Sequence, residues 1–324
     1  MGREGLRVWG FGSAAIDLRI STAEFGEGYR DKLLARETRW LGGGSTANTL
    51  VQVARLGGQA GWLGKLGTDS IGKAIEDSLC TEGIDLAALI RDPDALSPFN
   101  LAAYAGSGRR RIGGFLMPNC LGSIGGQDLD HFITFISPGD WLLIEVGEIP
   151  VPVCTRFAEM ANRAGAKVAV DVDLDPIAQC GSTTDEVSNL FGHCELLMPN
   201  HQSMHSLYPG IDGGGLLDLL HENYGTAVIV SEGAEGSRAI DSAGKHIHVP
   251  AMAVDVVDTV GAGDAFHGGV IFGLSQGRGF EQSIKLGTIC GAFNCLTFGA
   301  REGMIKKEEL QLFLSSIQET NQWQ

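Results

Sequence analysis

Residues 255–274 read D-V-V-D-T-V-G-A-G-D-A-F-H-G-G-V-I-F-G-L and join a glycine turn to the start of a helix. Apolar residues lead up to Asp258, the small-residue turn follows at 259–264, and apolar side chains then recur at helical spacing. The first N–H groups of a helix have no partners within it, and the helix dipole adds partial positive charge there. The stretch therefore predicts a site for an anion such as phosphate.

A carboxylate, Asp264, lies in the same turn. Phosphoryl transfer uses both an anion site and a carboxylate, because amides neutralise charge on the moving phosphoryl group while a carboxylate takes a proton from the attacking hydroxyl. However, Asp is common at helix N-caps, and Gly-Ala-Gly also occurs in ordinary tight turns. The turn alone leaves a structural and a catalytic interpretation open.

Composition narrows the classes of partner. The chain has 324 residues, of which 44% are hydrophobic and 19% charged, and its formal net charge is −15 at pH 7. An acidic surface repels nucleic acid and anionic membranes, so we expect neither as a partner. No apolar run approaches the ~20 residues that span a bilayer, and the N-terminus lacks the pattern of a signal peptide. Seven scattered cysteines without C-x-x-C spacing predict reduced thiols in the cytoplasm.

The first third of the chain mixes strands with two helices. Hydrophobic patterning predicts strands at 6–11, 16–20 and 60–66, and helices at 47–56 and 70–82. Asp69 is the expected N-cap of the second helix, and Gly83 its stop. Strands at 98–104 and 110–116, joined by a glycine-containing turn, predict a hairpin. The hairpin and strand 16–20 suggest a small β-layer over a main sheet.

From about residue 128 onward, strands alternate with helices. This alternation is typical of a parallel sheet with helices on both faces. We predict strands at 141–146, 167–172, 196–198, 227–230 and 247–249, and helices at 153–164, 216–224, 264–275, 281–296 and 307–318. No repeat or linker interrupts the chain, so one domain spanning 1–324 is the expected organisation.

Two separated stretches together resemble the ribokinase-like (PfkB) family of carbohydrate kinases. The first is G-G-G-S-T-A-N-T-L-V-Q-V-A-R-L-G-G at 42–58, continued by G-W-L-G-K-L-G-T-D-S-I-G at 61–72, and the second is D-T-V-G-A-G-D-A-F-H-G-G at 258–269. The resemblance implies a Rossmann-like three-layer αβα domain with a mainly parallel central sheet and a small β-sheet lid. The lid strands are expected within about 15–40 and 97–117. It also implies ATP as donor, Mg²⁺, and a sugar or sugar-like alcohol as acceptor.

The resemblance assigns roles to individual residues. Asp264 matches the family's catalytic base, and the anion hole corresponds to Gly261, Ala262 and Gly263. Candidate contacts to the acceptor are Asp17, Gly43, Gly44, Asn48 and, on the predicted hairpin, Arg109. Candidate contacts to the nucleotide are Asn200, Ser231, Gly233, Gly236 and Thr259. A K⁺ or other monovalent cation near Asp258 and a homodimer formed through the lid are common in the family.

Chemistry gives independent reasons for some of these residue types. One carboxylate at Asp17 that accepts two vicinal hydroxyls would orient a sugar and reject analogues lacking either hydroxyl. Glycines at 42–44 let the backbone pass close to a ligand. A closing lid excludes water, which would otherwise compete with the acceptor and hydrolyse ATP.

Three departures from the family pattern stand out. Ser203 occupies the position of the glutamate in the family's N-x-x-E motif, and Glu232 places a negative charge beside the phosphate segment. In D-V-D-L-D at 171–175, Asp replaces both Asn and Arg of a D-x-N-x-R pattern. These departures concern the metal shell and the acceptor, and leave the turn at 261–264 unchanged.

Other functions remain open at this point. A nucleoside kinase would need an aromatic shelf for the base, for which the candidates are Trp9, Trp40, Phe99 and Phe115. A kinase of sugar acids, inositols or phosphorylated sugars is a further alternative, the last using cations at 109–111. A non-catalytic sugar-binding protein would fit the serine at 203. An NAD-dependent oxidoreductase would use G-F-G-S-A-A at 10–15, but the residues that follow predict a strand where that fingerprint requires a helix.

Overall fold

The computed structural model describes residues 6–22, 34–105, 110–200, 202–211 and 213–320. The strands are β1 (Arg7–Phe11), β2 (Ala15–Thr22), β3 (Ala35–Gly43), β4 (Gln59–Trp62), β5 (Lys65–Gly67), β6 (Ile90–Asp92), β7 (Phe99–Ala105), β8 (Arg110–Leu116), β9 (Trp141–Val146), β10 (Lys167–Val172), β11 (Leu196–Pro199), β12 (Ala227–Ser231), β13 (Ser237–Ile240) and β14 (His246–Val249). The helices are α1 (Ser45–Arg55), α2 (Ser70–Thr81), α3 (Gly126–Phe132), α4 (Val151–Arg163), α5 (Thr184–Phe191), α6 (Gly213–Tyr224), α7 (Ala262–Ser275), α8 (Phe280–Asn294) and α9 (Lys307–Thr320).

The main sheet has the strand order β14-β13-β12-β11-β10-β9-β1-β4 within the described residues. Neighbouring strands pair in parallel along the series β4, β1, β9, β10, β11 and β12, whereas β13 and β14 form an antiparallel edge. All six residues of β9 are buried, as expected for a strand covered on both faces. The buried apolar side chains of the sheet and its helices form one continuous core. The predicted α/β fold class with a mainly parallel sheet is confirmed.

The lid is a separate four-stranded sheet in the order β3-β2-β7-β8. Directly paired residues share a face of a sheet, and successive residues alternate between faces. Asp17 pairs with Asn100, and Arg19 with Arg39, on the face turned toward the main domain, which we call the inner face. Leu18 pairs with Trp40 on the opposite, outer face. The inner face therefore carries several polar and charged side chains, although the residue paired with Asp17 on β3 is the apolar Leu41.

The structure differs from the sequence prediction in several elements. The strand expected at 60–66 is two strands, since β4 joins the main sheet and β5 pairs with β6. Strands β6 and β13 and helices α3 and α5 lie where none was predicted, whereas β3, which no hydrophobic pattern marked, lies largely within the range 15–40 expected for lid strands. The predicted N-cap at Asp69 is confirmed, because its carboxylate accepts a hydrogen bond from the Gly72 N–H at 2.7 Å.

Two further findings concern membrane-spanning helices and disulfide bonds. No helix among the described residues is both long and apolar enough to cross a membrane. The seven cysteines all lie in described segments, and each is a free thiol.

Candidate active site

The carboxyl ends of the parallel strands meet at one edge of the main sheet, where open α/β folds bind ligands. The loop after β1 carries Ser13, β9 ends near Glu145, and β10 leads into Asp173. The Asn200 backbone bridges to Ser231 at the end of β12. Helix α7 packs against α1 beside this edge. The fold thus gathers most of the predicted site residues in one region.

The glycine turn opens helix α7. Gly261 has a φ of 78° and caps the helix, and Gly263 is exposed in its first turn. Asp264 is half-buried, and its Oδ2 accepts a hydrogen bond from Asn48 Nδ2 at 2.7 Å. Because Gly263 is open to solvent and Asp264 retains partial exposure, the first turn of α7 is accessible to a ligand.

The protonation of Asp264 is shifted by its surroundings. Partial removal from water and the negative charge of Asp173 raise its pKa to about 8, although the Asn48 hydrogen bond lowers it. A carboxyl with this pKa is mostly protonated at pH 7 in the free protein. Its ability to accept a proton therefore increases through the slightly alkaline range.

A buried guanidinium links the predicted acceptor residues. Arg301 Nε donates to Asn48 Oδ1 at 2.6 Å, and Nη2 donates to the Gly43 carbonyl at 2.7 Å. Burial lowers the pKa of Arg301 to about 10, against the opposing effect of Asp17, so the group stays charged at neutral pH. Sequence reasoning missed Arg301 because it lies in a loop after α8 that matches no motif. Only its position in the fold connects it to Asn48.

The glycines at 42–44 are required by close contacts. A Cβ at Gly43 would lie 2.4 Å from the Asp17 carboxylate, and one at Gly42 would lie 2.4 Å from Arg301 Nη1. Gly44 has a φ of 88° and passes against the Ser13 carbonyl. The glycine segment therefore makes room for two charged side chains and a tight turn.

Asp17 lies on the inner face of the lid, with its carboxylate packed against the backbone of Gly43. Its Oδ1 accepts a hydrogen bond from Asn100 Nδ2 at 2.9 Å. Asn100, on β7, was not predicted, because its placement beside Asp17 follows from the parallel pairing of β2 with β7. Arg109 lies outside the described residues.

A group of acidic residues lies near Asp264. Glu145 is buried and accepts hydrogen bonds from the backbone and hydroxyl groups of Ser13 and Thr46. Burial and the charge of Asp173 raise the pKa of Glu145 to about 7. Burial lowers the pKa of His267, but the charge and hydrogen bond of Asp171, 3.0 Å from Nδ1, raise it overall. Negative charge near Asp264 is therefore only partly compensated.

The predicted nucleotide residues lie along the neighbouring strands. Asn200 Oδ1 accepts the Ser203 N–H at 2.8 Å, so Ser203 closes a turn where the family pattern has a carboxylate. Gly233 and Gly236 bracket a short 3₁₀ turn after β12. Glu232 forms an ion pair with Arg238 at 2.9 Å, which offsets part of the negative charge noted in the sequence.

The described residues contain no cluster of three or more His, Cys, Asp or Glu side chains arranged to hold a metal ion. Mg²⁺ binds phosphates through one or two carboxylates and keeps several waters, so it does not require such a cage. Asp173 is an exposed carboxylate at this edge and accepts a hydrogen bond from Ser45 Oγ at 3.0 Å. The site is therefore compatible with a metal that arrives bound to phosphate.

Comparisons with known proteins identify the family of the chain. Residues 7–307 match the family model described as pfkB family carbohydrate kinase. Aminoimidazole riboside kinase of Salmonella typhimurium is 29% identical over 336 aligned positions, covering 96% of this chain and 95% of that protein. The same enzyme from Salmonella enterica, solved with aminoimidazole riboside and an ATP analogue, has a TM-score of 0.75 at 26% identity and covers 95% of this chain and 99% of that one.

The fold is shared with ribokinases. The crystal structure of Thermotoga maritima ribokinase has a TM-score of 0.83 at 23% identity and covers 96% of this chain and all of that one. Since the family model spans nearly the whole chain, the protein belongs to the pfkB family of carbohydrate kinases and is an ATP-dependent kinase.

Proposed function

We propose that the chain transfers the γ-phosphoryl group of ATP to a hydroxyl of a small sugar or sugar-like alcohol. Asp264 acts as the general base, and the backbone at 261–264 forms the anion hole. The observation that carries this proposal is the connected series Asp264–Asn48–Arg301–Gly43, which joins the glycine turn to the acceptor side.

The residues have distinct parts in the reaction. Asp17, held by Asn100, accepts acceptor hydroxyls and orients the sugar, while Asn48 holds the carboxylate of Asp264 in place. Asp264 removes the proton of the attacking hydroxyl. The amides at the start of α7 stabilise the charge on the phosphoryl group as it moves. Mg²⁺ bound to ATP would neutralise further phosphate charge.

The nucleotide is assigned to the neighbouring strand ends. Candidate contacts are Asn200, Ser231, Gly233, Gly236 and Thr259. Asn200 and Ser231 are bridged through their backbones, and Gly261 follows Thr259 by two residues. This arrangement supports a phosphate chain that runs from the end of β12 toward the anion hole.

The acceptor is a free sugar in the first interpretation and a riboside in the second. The riboside alternative is favoured by the aminoimidazole riboside kinase relative. The four aromatic residues considered for a base shelf do not support it. Trp9 is fully buried in β1, and pairing places Trp40, Phe99 and Phe115 on the outer face of the lid. On the inner face, Asp17 and Asn100 supply polar groups that suit a sugar, while their strand partners Leu41 and Leu116 are apolar.

An acceptor panel tests the proposal. ADP release is measured with ATP and Mg²⁺ in the presence of pentoses, hexoses, sugar acids, inositols, phosphorylated sugars and ribosides. Stimulation by one free-sugar class above the ATP-only rate is expected, and stimulation by ribosides alone would favour the second interpretation. A ligand that raises the melting temperature without any ADP release would instead indicate a sugar-binding protein.

The pH dependence should follow Asp264. We expect kcat/KM to rise with pH with a midpoint near 8, because the free enzyme must ionise this carboxyl before it can accept a proton. Asp173→Asn removes a negative charge that raises the pKa, so the midpoint should move to lower pH. The control variant is Asp185→Asn, which removes an exposed carboxylate in the first turn of α5. A midpoint that Asp173→Asn leaves unchanged would contradict this assignment.

We also propose that the chain acts as one domain in the cytoplasm and dimerises through the lid. The outer face of the lid exposes apolar side chains, with Trp40 58% and Phe115 61% exposed. Analytical ultracentrifugation should find a dimer, and Trp40→Glu combined with Phe115→Glu should yield monomers that melt near the wild-type temperature. A wild-type monomer at micromolar concentration would exclude this interface.

A further inference from the structure

A buried arginine joins the lid to the segment that precedes the anion hole. Arg19 lies on the inner face of β2, and its side chain is only 5% exposed. Its Nη1 lies 3.1 Å from Asp258 Oδ2, a carboxylate that is 12% exposed. Asp258 precedes Gly261 by three residues. The ion pair therefore places a fixed positive charge beside the backbone that leads into the turn.

Aromatic rings hold the guanidinium in position. The Arg19 guanidinium carbon lies 5.3 Å from the ring centre of Tyr104 and 4.8 Å from that of Phe298. Cations over aromatic faces are attracted by the ring quadrupole, most strongly where water is excluded. In the sheet, Arg19 has Ala102 beside it on β7, which leaves space for the rings. The surroundings of Arg19 therefore fit a guanidinium group.

The Asp258 carboxylate is engaged at both oxygens. Oδ1 accepts the Val260 N–H at 3.1 Å, and Oδ2 accepts the Gly299 N–H at 3.1 Å in addition to Arg19. Oδ2 already accepts two N–H groups, so a monovalent cation could bind only at the remaining lone pair of Oδ1. It would also lie close to a buried positive charge, where repulsion is poorly screened. The residues present therefore do not fit a K⁺ ion at Asp258.

We propose that Arg19 is a positioning residue that replaces the monovalent cation at Asp258, so that turnover does not depend on K⁺. Its guanidinium neutralises Asp258 and fixes the segment before the anion hole. Because Arg19 belongs to the lid, the same contact ties the position of the lid to that segment. The inference rests on the proposed function for its kinetic readout, but the charge replacement can also be measured without turnover.

The experiment compares wild type with three variants in potassium chloride and in choline chloride at constant ionic strength. Arg19→Met removes the charge but keeps an apolar chain between the rings, and Arg19→Lys keeps the charge. Arg39→Met is the matched control, since Arg39 pairs with Arg19 across the strands and lies over Phe298 but is half-exposed and paired with Glu37. Both the rate of ADP release and the melting temperature are recorded.

Wild-type rates should agree within about twofold in the two salts, whereas Arg19→Met should lose about tenfold or more in choline. Potassium should restore part of that loss, and Arg19→Lys and Arg39→Met should remain close to wild type in both salts. In melting, K⁺ should stabilise Arg19→Met but not the wild type.

Activation of the wild type by K⁺ of about tenfold, or stabilisation of the wild type by K⁺ over choline, would overturn the proposal. Unchanged turnover of Arg19→Met in choline would overturn it as well. If Arg19→Met does not fold, the wild-type titration and Arg19→Lys decide the outcome. If no acceptor supports ADP release, the proposed function fails, while the melting data still decide whether K⁺ binds.

Discussion

Asp264→Asn should reduce turnover about 10²–10⁴-fold, because an amide cannot take the proton of the acceptor hydroxyl. The substitution conserves size, and the Asn oxygen can still accept the hydrogen bond that Asn48 donates to the native carboxylate. The loss is therefore expected in kcat, with little change in acceptor binding. Steady-state ADP release with the best acceptor of the panel is the measurement.

Stability distinguishes a missing base from a damaged fold. The folded-state pKa of Asp264 is raised to about 8, so its contribution to stability is complete below the unfolded value of 3.8 and is lost as pH rises through 8. An Asn has no such loss, so the variant should melt at or above the wild-type temperature at pH 8. Asp255→Asn, at an exposed position in the same segment, is the control for both measurements. Near-wild-type turnover of Asp264→Asn would remove the proposed base.

Gly261→Ala should be the second most damaging change, with turnover reduced by about 10²-fold. Gly261 has a φ of 78°, and an added Cβ would lie 2.2 Å from the Ala300 carbonyl oxygen. Backbone must shift to relieve that contact, and the amides at the start of α7 would then move away from the phosphoryl group. Turnover and melting temperature should both fall.

Two other glycines, one in α7 and one just past its end, distinguish a loss of stability from a loss of the anion hole. Gly277, past the opposite end of the helix, also has a positive φ, of 73°, but its Cβ would meet nothing within 4 Å. Gly277→Ala should therefore cost stability of about 1–2 kcal/mol and leave turnover unchanged. Gly263→Ala meets no contact either, so it should fold at least as stably as the wild type. Full activity of Gly261→Ala would mean that this turn does not form the anion hole.

The sequence predicted those parts of the fold that depend on local patterns. Apolar runs identified β1, β9 and β10, and the Asp69 cap identified α2. Local patterns did not mark strand β3, which only the family resemblance placed within the lid range, because its residues 35–40 are exposed at the edge of the sheet and show no hydrophobic alternation. Strand β13 is only four residues long and follows a turn, and its pairing with β12 and β14 stabilises it. Long-range pairing, rather than local propensity, determines that β3 and β13 form strands.

The candidate site likewise contains residues that local motifs predict and residues that only long-range contacts reveal. Motifs located Asp264, Asn48 and the glycines, because these groups have fixed spacing along the chain. Arg301 lies 253 positions from its partner Asn48, and Asn100 lies 83 positions from its partner Asp17. No local sequence pattern predicts contacts at such separations. Whether Arg19 faces Asp258 or solvent likewise follows only from the register of the lid sheet.

The lid is built from two separate insertions, one between β1 and α1 and the other between β6 and α3. The first carries Asp17 and Arg19, and the second carries Asn100, whereas Asp264 and the glycine turn lie more than 140 residues later. In the proposed function, the acceptor contact at Asp17 thus lies on a different piece of chain from the base and the anion hole. We expect chimeras that carry both insertions of another family member to acquire the sugar preference of that member, provided that the ion pair between Arg19 and Asp258 is retained.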